Sequence, residues 1–228
     1  MKQSGSIKSI LTSSFITGIG LAGGLAIGFL IANLTFESMN VHITGFLSGL
    51  LGFVVLLIGL GGGGALWGYG IAILFGASHP RYVARKAAVG FSFSTVAVGI
   101  ALELVFGLLS SLGSSSSLPI HHAFTVVFVP SAGVMASLLS HWLTRWMGFS
   151  DLSLRSVISI GLVSAVSFLV VNIIMLQLGW IIGAPGAAER MTMITVMLLS
   201  NLGAALAGGA AFGYVLGQNT STLEPKTF

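Results

Sequence analysis

Long stretches without charge are the feature that most constrains this chain. Glu37 is the only charged residue between Lys8 and Arg81, and charged residues make up 6% of all 228 residues. A soluble domain carries about 25% charged residues, which it needs to cover its surface in water. The mean hydropathy of +1.03 agrees with this shortage. Lipid is therefore the expected solvent for most of the surface.

The composition also excludes several other classes of protein. A soluble enzyme, a secreted disulfide scaffold, a disordered regulator and a soluble nucleic-acid binder all need a different balance of residues. The chain has no cysteine, so disulfides, thiolate metal sites and thiol catalysis are excluded. Its net charge of +4 comes from scattered basic residues and does not indicate a nucleic-acid partner. The expected partner is the lipid bilayer, with other membrane subunits or further copies of the chain as protein partners.

Six apolar stretches are long enough to cross a bilayer, which takes about 20 residues each. They predict an all-α, polytopic integral membrane helix bundle that forms a single domain over residues 1–228. No connection between them is long enough to fold alone. The six predicted transmembrane helices cover residues 10–33, 43–77, 87–109, 122–146, 156–182 and 191–217.

The basic residues predict the orientation of these helices. If the N-terminus is cytoplasmic, only Arg190 among the nine basic residues lies outside, as the positive-inside rule requires. Both termini are then cytoplasmic, and we expect the plasma membrane of a prokaryote. The first apolar stretch has about 25 residues, longer than the roughly 7–15 of a signal peptide. We therefore expect it to be retained as a spanning helix.

The second stretch is unusually long and contains four consecutive glycines. Residues 43–77 carry no charge, and one straight helix of this length would measure about 52 Å against a hydrocarbon core of about 30 Å. We predict a single helix that is tilted or kinked at Gly61–Gly64. A helix that is broken there is the alternative, because unwound backbone is tolerated where it lines a cavity.

A short glycine motif occurs three times, each time as Gly-Gly-x-x-x-Gly followed by an aromatic residue. Glycines four residues apart form a flat stripe on which another helix can pack closely. We predict that the first, second and sixth helices pack together through these stripes. The predicted packing glycines are Gly24, Gly28, Gly64, Gly68, Gly209 and Gly213.

A few polar residues lie inside the predicted spans. Glu103 is the only acidic residue within a span, and Thr95 lies on the same helical face. Asn172 and Asn201 lie in the fifth and sixth helices. A buried carboxylate often marks a functional site, whereas amides more often hold helices together. We predict that these four residues line a polar interior, with a structural role for Glu103 as the alternative.

The sequence contains no known catalytic motif, and we expect no enzyme, cofactor or metal site. His42, His121 and His122 lie at the outer ends of the predicted helices and could form an external proton or metal site with Glu37, Glu103 and Glu189, but their spacing matches no metal motif. The predicted function is a small permease or channel-like transporter of an ion or small solute. The alternative is a non-catalytic subunit or assembly factor of a larger membrane complex. An intramembrane enzyme acting on lipid is a third hypothesis.

Overall fold

The computed structural model describes residues 7–28, 30, 46–111, 120–182 and 187–219, and these residues form six long helices. They contain no strand, so the all-α prediction is confirmed for this part of the chain. The helices are α1 (Ile7–Gly28), α2 (Phe46–Leu74), α3 (Pro80–Ser111), α4 (Ile120–Trp146), α5 (Leu154–Ile182) and α6 (Ala187–Asn219).

Five of the described helices, all but α3, are long and apolar enough to cross a membrane. The helix α3 has 32 residues and carries Arg81, Arg85 and Lys86 in its first two turns. Large apolar side chains cover the outer faces of the bundle, and Ile58 and Phe93, for example, are each 67% exposed. A soluble monomer rarely exposes apolar surface on this scale, so the outer surface suits an apolar solvent.

The six helices form a closed ring. Each described helix packs against the next one in the chain, and α6 packs against α1. The closure between α1 and α6 joins residues that are far apart in the sequence, as in the hydrogen bond of 2.8 Å from the Ser13 hydroxyl to the Gly209 carbonyl. The ring surrounds a small central space, which is the candidate site described below.

Two tight connections join α2 to α3 and α4 to α5, and both begin with the same helix stop. Gly76 and Gly148 have φ angles of 72° and 80°, a left-handed conformation that glycine adopts without strain. The next residue in each case bonds back to the helix, from the Ala77 amide to the Ala72 carbonyl at 2.8 Å and from the Phe149 amide to the Thr144 carbonyl at 3.1 Å. Both ends are therefore Schellman caps.

These two connections, residues 75–79 and 147–153, lie at one end of the ring, which we call the hairpin end. Most of the buried hydrophobic cluster lies here, with Ile71, Val83, Leu143 and Leu216 each 0% exposed. Arg145 and Asp151 form an exposed ion pair at 3.4 Å on the outside of the same end. The hairpin end is thus apolar inside and charged outside.

The backbone is irregular in α1 and not at the glycines of α2. The helix α2 is α-helical without interruption from Phe46 to Leu74, through Gly61–Gly64. In α1 the α-helix Ile7–Thr17 is followed by a π-helix, Gly18–Ala22. Short π-helical turns within α-helices occur frequently at functional sites. The part of α1 that faces the central space is therefore a candidate functional region.

Candidate functional site

A cavity of about 80 Å³ lies inside the ring of helices, and every described helix contributes to its wall. Its wall is mostly apolar, with Leu21, Phe91, Leu139 and Phe212 among its side chains. The polar residues in the wall are Thr17, Trp67, Ser140, Ser164 and Asn201. A cavity of this size holds several water molecules, or a solute smaller than the benzene that binds in an engineered cavity of about 150 Å³.

Most polar groups of the wall are already bonded within the protein. The Thr17 hydroxyl donates to the Ser13 carbonyl at 2.8 Å and accepts from the Trp67 indole nitrogen at 3.2 Å. The Ser140 hydroxyl donates to the Ser137 carbonyl at 2.9 Å. Because these donors already have partners, an occupant of the cavity does not have to accept hydrogen bonds from them.

Asn201 has the most hydrogen-bonding groups of the polar side chains in the wall, and Ser164 carries an unpartnered hydroxyl. The Asn201 amide nitrogen donates to the Met197 carbonyl at 2.8 Å, and a primary amide has a second donor and a carbonyl acceptor in addition. The Ser164 hydroxyl is buried without a hydrogen-bond partner, and it lies against the backbone of Gly208. Asn201 is therefore the side chain of the wall that is best equipped to bond an occupant.

The structure places one of the four predicted polar-interior residues in the cavity wall. Asn201 lines the cavity, whereas Asn172 is 8% exposed and is not part of the wall. The Thr95 hydroxyl bonds within its own helix, to the Phe91 carbonyl at 2.9 Å, and Thr95 is likewise absent from the wall. Glu103 lies in α3, but its side chain is outside the described part of the chain.

Thr17, Trp67, Ser140 and Ser164 belong to the wall but were not among the predicted site residues. Trp67 follows Gly63 and Gly64 in the glycine motif of α2, and its place in that motif was the available signal. The hydroxyl residues gave no comparable signal, because serine and threonine recur throughout these helices. Only the packing of the ring shows which of them face inward.

The predicted packing glycines all lie at contacts between helices. A Cβ added at Gly24 would lie 2.7 Å from the Gly63 Cα, and one at Gly28 would lie 3.2 Å from the Leu56 carbonyl oxygen, so both face α2. A Cβ at Gly209 would lie 2.5 Å from the Thr17 Cβ, facing α1. In the same way Gly213 faces Ser13 of α1, at 2.7 Å between the added Cβ and the serine Cβ.

The glycines of α2 have different partners from those predicted. Gly64 lies against α3, where an added Cβ would be 2.7 Å from the Ala87 carbonyl oxygen, and Gly68 faces Ala87 and Val83 of the same helix. Gly59, Gly63 and Gly70 are the glycines of α2 that face α1. Adjacent glycines therefore serve two neighbouring helices, because successive residues point about 100° apart around a helix.

The residues considered for an external metal site lie outside the described part of the chain. This applies to Glu37 and His42 entirely and to the side chains of His121, His122 and Glu189. Among the residues that the structure describes, no group of three or more histidine or acidic side chains is placed to hold a metal ion.

Comparison with known proteins gives no family for this chain. No protein-family model matches it, and neither the curated proteins nor the solved structures include a significant match. Its function must therefore be argued from the fold and the cavity.

Proposed function

We propose that the protein is an integral membrane protein whose six helices cross the bilayer with the hairpin end in the cytoplasm. The support is the apolar outer surface together with the position of the cations. Lys8, Arg81, Arg85, Lys86, Arg145 and Arg155 all lie at the hairpin end. This asymmetry is typical of the cytoplasmic face of a membrane protein, and a prokaryotic plasma membrane suits it.

We propose further that the protein is a permease or channel-like transporter of a small, uncharged solute. The observation that carries this proposal is the cavity, which is bounded by all six helices and holds only a few non-hydrogen atoms of solute. The cavity lies at the centre of the ring, where side chains of all six helices form its wall. A small polar molecule can rest there on its way across the membrane.

The chemistry of the wall favours an uncharged solute over an ion. No charged side chain lies among the described residues of the wall, and its hydroxyl groups are mostly bonded to the backbone. An ion in an apolar, low-dielectric site is costly unless charged or strongly polar groups replace its water shell. An uncharged solute needs only one or two hydrogen bonds, which Asn201 is able to supply.

The test is flux into liposomes that contain the purified protein. Stopped-flow light scattering measures the uptake of water, urea and glycerol, with protein-free liposomes as the baseline. We expect uptake of at least one of these solutes to exceed the baseline. The variant Ala205→Leu, which fills the cavity from α6, should reduce that uptake at least tenfold.

A matched control comes from an alanine on the outside of the bundle. Ala205 lines the cavity, whereas Ala97 of α3 is exposed on the outer surface. Ala97→Leu adds the same carbon atoms without entering the cavity, and it should leave the flux unchanged. Equal flux through the two variants, or no flux above the baseline for any solute, would contradict the proposal.

An ionic substrate is tested at Glu103. If the protein carries an ion, Glu103→Gln should abolish the flux, because the carboxylate would supply the charge that the described cavity wall lacks. If the substrate is uncharged, uptake of the neutral solute should survive this substitution. Fluorescent pH and potential indicators inside the same liposomes separate the two outcomes.

The second candidate function is that of a non-catalytic subunit in a larger membrane complex. It is favoured by two open glycines, since a Cβ added at Gly23 or Gly62 would meet no atom within 4 Å. Close approach of a partner helix at such positions is how membrane helices associate. A large stable complex on native gels that Gly62→Leu disrupts, with no flux from the isolated protein, would support this function instead.

A further inference from the structure

The cavity is closed at the hairpin end by a layer of completely buried residues. On five of the described helices, a cavity-wall residue is followed, one helical turn nearer the hairpin end, by a residue that is 0% exposed. Residues four apart lie on the same face of a helix, so these residues lie directly beneath the wall. We call this set the floor layer: Ser13, Ile71, Ala87, Leu143, Thr144 and Leu216.

The floor layer is continuous with the hydrophobic cluster of the hairpin end. Ile71, Leu143 and Leu216 belong to one cluster, which also includes Met147 at 5% exposed. Below the wall residue Phe212, the ring of Phe75 packs edge-on at 6.5 Å between ring centroids. On these helices the chain is closely packed between the cavity and the hairpin end.

The packing is looser beyond the opposite end of the cavity. On α4 and α6, the residues one turn past Ala132 and Asn201 are only half-buried, as at Phe128 and Met197. Leu60 of α2, at 0% exposed, stays buried at this level. Thr95 of α3 is likewise half-buried one turn past Phe91, whereas Phe168 of α5 is 1% exposed one turn past Ser164. The two ends of the cavity are therefore not equivalent.

We propose that the floor layer is the closed cytoplasmic gate of the transport pathway; this inference rests on the proposed function and adds how the pathway is controlled. A layer of closely packed, mostly apolar side chains blocks water and polar solutes, because it leaves them no space and few hydrogen-bond partners. Truncating a large side chain in the layer should therefore open the cavity toward the cytoplasm.

The contacts around Trp67 indicate where the gate is held. The Trp67 indole nitrogen bonds to the Thr17 hydroxyl at 3.2 Å, and the π-helix of α1 begins at the next residue, Gly18. Single π-helical turns occur frequently at functional sites. This bond joins α1 to α2 directly above the floor layer.

The test uses the absence of cysteine from the chain. A single Ala205→Cys substitution places a thiol on the cavity wall. Ag⁺ is added to the cytoplasmic side of sealed vesicles, and the rate at which it reacts with this thiol is measured. At each time point the protein is denatured, and the thiols that have not reacted with Ag⁺ are labelled with a fluorescent maleimide and counted. A separate Ser78→Cys protein, with its thiol on the exposed connection 75–79, reports the rate of an open thiol at that face.

We expect the Ala205→Cys thiol to react from the cytoplasmic side at least tenfold more slowly than the Ser78→Cys thiol. Adding Leu143→Ala or Ile71→Ala should raise its rate at least tenfold. The matched controls Leu138→Ala and Ile73→Ala truncate exposed side chains on the same two helices, and they should leave the rate unchanged. Leu143→Val and Ile71→Val give smaller truncations of the same sites if an alanine variant does not fold.

Two results would overturn the gate. One is an Ala205→Cys thiol that reacts from the cytoplasmic side as fast as the Ser78→Cys thiol, since the floor would then be open. The other is a folded truncation variant whose rate does not change. Neither result depends on solute flux, so the two proposals can fail separately. If the thiol rates agree with a closed floor layer but none of the solutes is transported, the proposed function is contradicted and the closed floor layer is not.

Discussion

The helix α1 packs against its two neighbours in two different ways. Toward α2 the contact is between backbones, because Gly24 and Gly28 lie against Gly63 and Gly59. Toward α6 the contact is between side chains and backbone, because Ser13 and Ser14 donate hydrogen bonds to carbonyl groups of that helix. The same glycine motif thus takes part in two kinds of helix packing within one bundle.

The difference between these interfaces follows from what faces the glycines. Where both helices carry glycine, the backbones come close enough for extensive van der Waals contact, which lipid does not oppose. Where the partner carries a hydroxyl, as at Gly209, the glycine makes room for a bond of 2.8 Å from Ser13 to its own carbonyl oxygen. The interface between α1 and α2 depends on glycines, which have no side chain. The interface between α1 and α6 depends on glycines and also on the serine side chains that bond to carbonyl groups of α6.

The largest expected effect comes from a bulky residue at either interface. Gly63→Leu would drive a side chain into the backbone of α1 at Gly24, and Gly209→Leu would overlap Thr17, where even a Cβ would lie 2.5 Å from the threonine Cβ. We expect both variants to lose the folded, monodisperse protein. Fluorescence-detected size-exclusion chromatography measures this, with Gly62→Leu as the matched control because its Cβ position is open. Normal yield from Gly63→Leu would show that the α1–α2 contact is dispensable.

A smaller and more diagnostic effect is expected from alanine at adjacent glycines of α1. Gly24→Ala should destabilise the protein by about 1–3 kcal/mol, as overpacking does in a tight core, because its Cβ would lie 2.7 Å from the Gly63 Cα. Gly23→Ala meets no atom within 4 Å and should stabilise the helix by up to about 1 kcal/mol. The two substitutions therefore have opposite predicted signs.

Thermal or denaturant unfolding in detergent measures both alanine variants against the wild type. Each substitution makes the same chemical change one residue apart, so each is the control for the other. Destabilisation of equal size in both variants would indicate that helix propensity or the detergent dominates, and the backbone contact between α1 and α2 would lose its support.

The smallest effect is expected from the hydroxyl groups that face α6. Ser13→Ala and Ser14→Ala each remove one interhelical bond, of 2.8 Å and 2.7 Å. Interhelical hydrogen bonds in membrane proteins contribute on average about 0.6 kcal/mol and at most about 1.7 kcal/mol. We expect losses in this range, measured by the same unfolding assay.

Ser159→Ala is the matched control for these two variants. Its hydroxyl is exposed and bonds within its own helix, to the Arg155 carbonyl at 2.8 Å, so its loss should not weaken any interface. A loss from Ser13→Ala as large as that from Gly24→Ala would remove the distinction between the two interfaces of α1.

The glycine runs show how far local sequence predicts backbone geometry. Four consecutive glycines in α2 favoured a kink or a break, yet Phe46–Leu74 is a continuous α-helix. Gly63 and Gly64 are held there by α1 on one side and α3 on the other, and this packing offsets the low helix propensity of glycine. The π-helix at Gly18–Ala22 had no signal in the sequence, because similar residues continue α1 on both sides.

The amides show the same limit for the candidate site. Asn172 and Asn201 gave similar signals in the sequence, since each is an asparagine inside an apolar stretch. The ring of helices turns Asn201 toward the cavity and leaves Asn172 out of its wall. When a helix is apolar on all its faces, its sequence does not indicate which face points into the bundle.

The sequence by itself predicted that this chain is helical and apolar, because its long uncharged stretches can satisfy their backbone polar groups within helices and its few charged residues cover little surface in water. It also determined where the helices lie, since their lengths and the cations between them are local properties. Only the tertiary structure decided which helix each glycine meets, where the cavity lies and which side chains close it. Those features depend on the rotation and neighbours of each helix, which are set by the summed contacts of the whole ring.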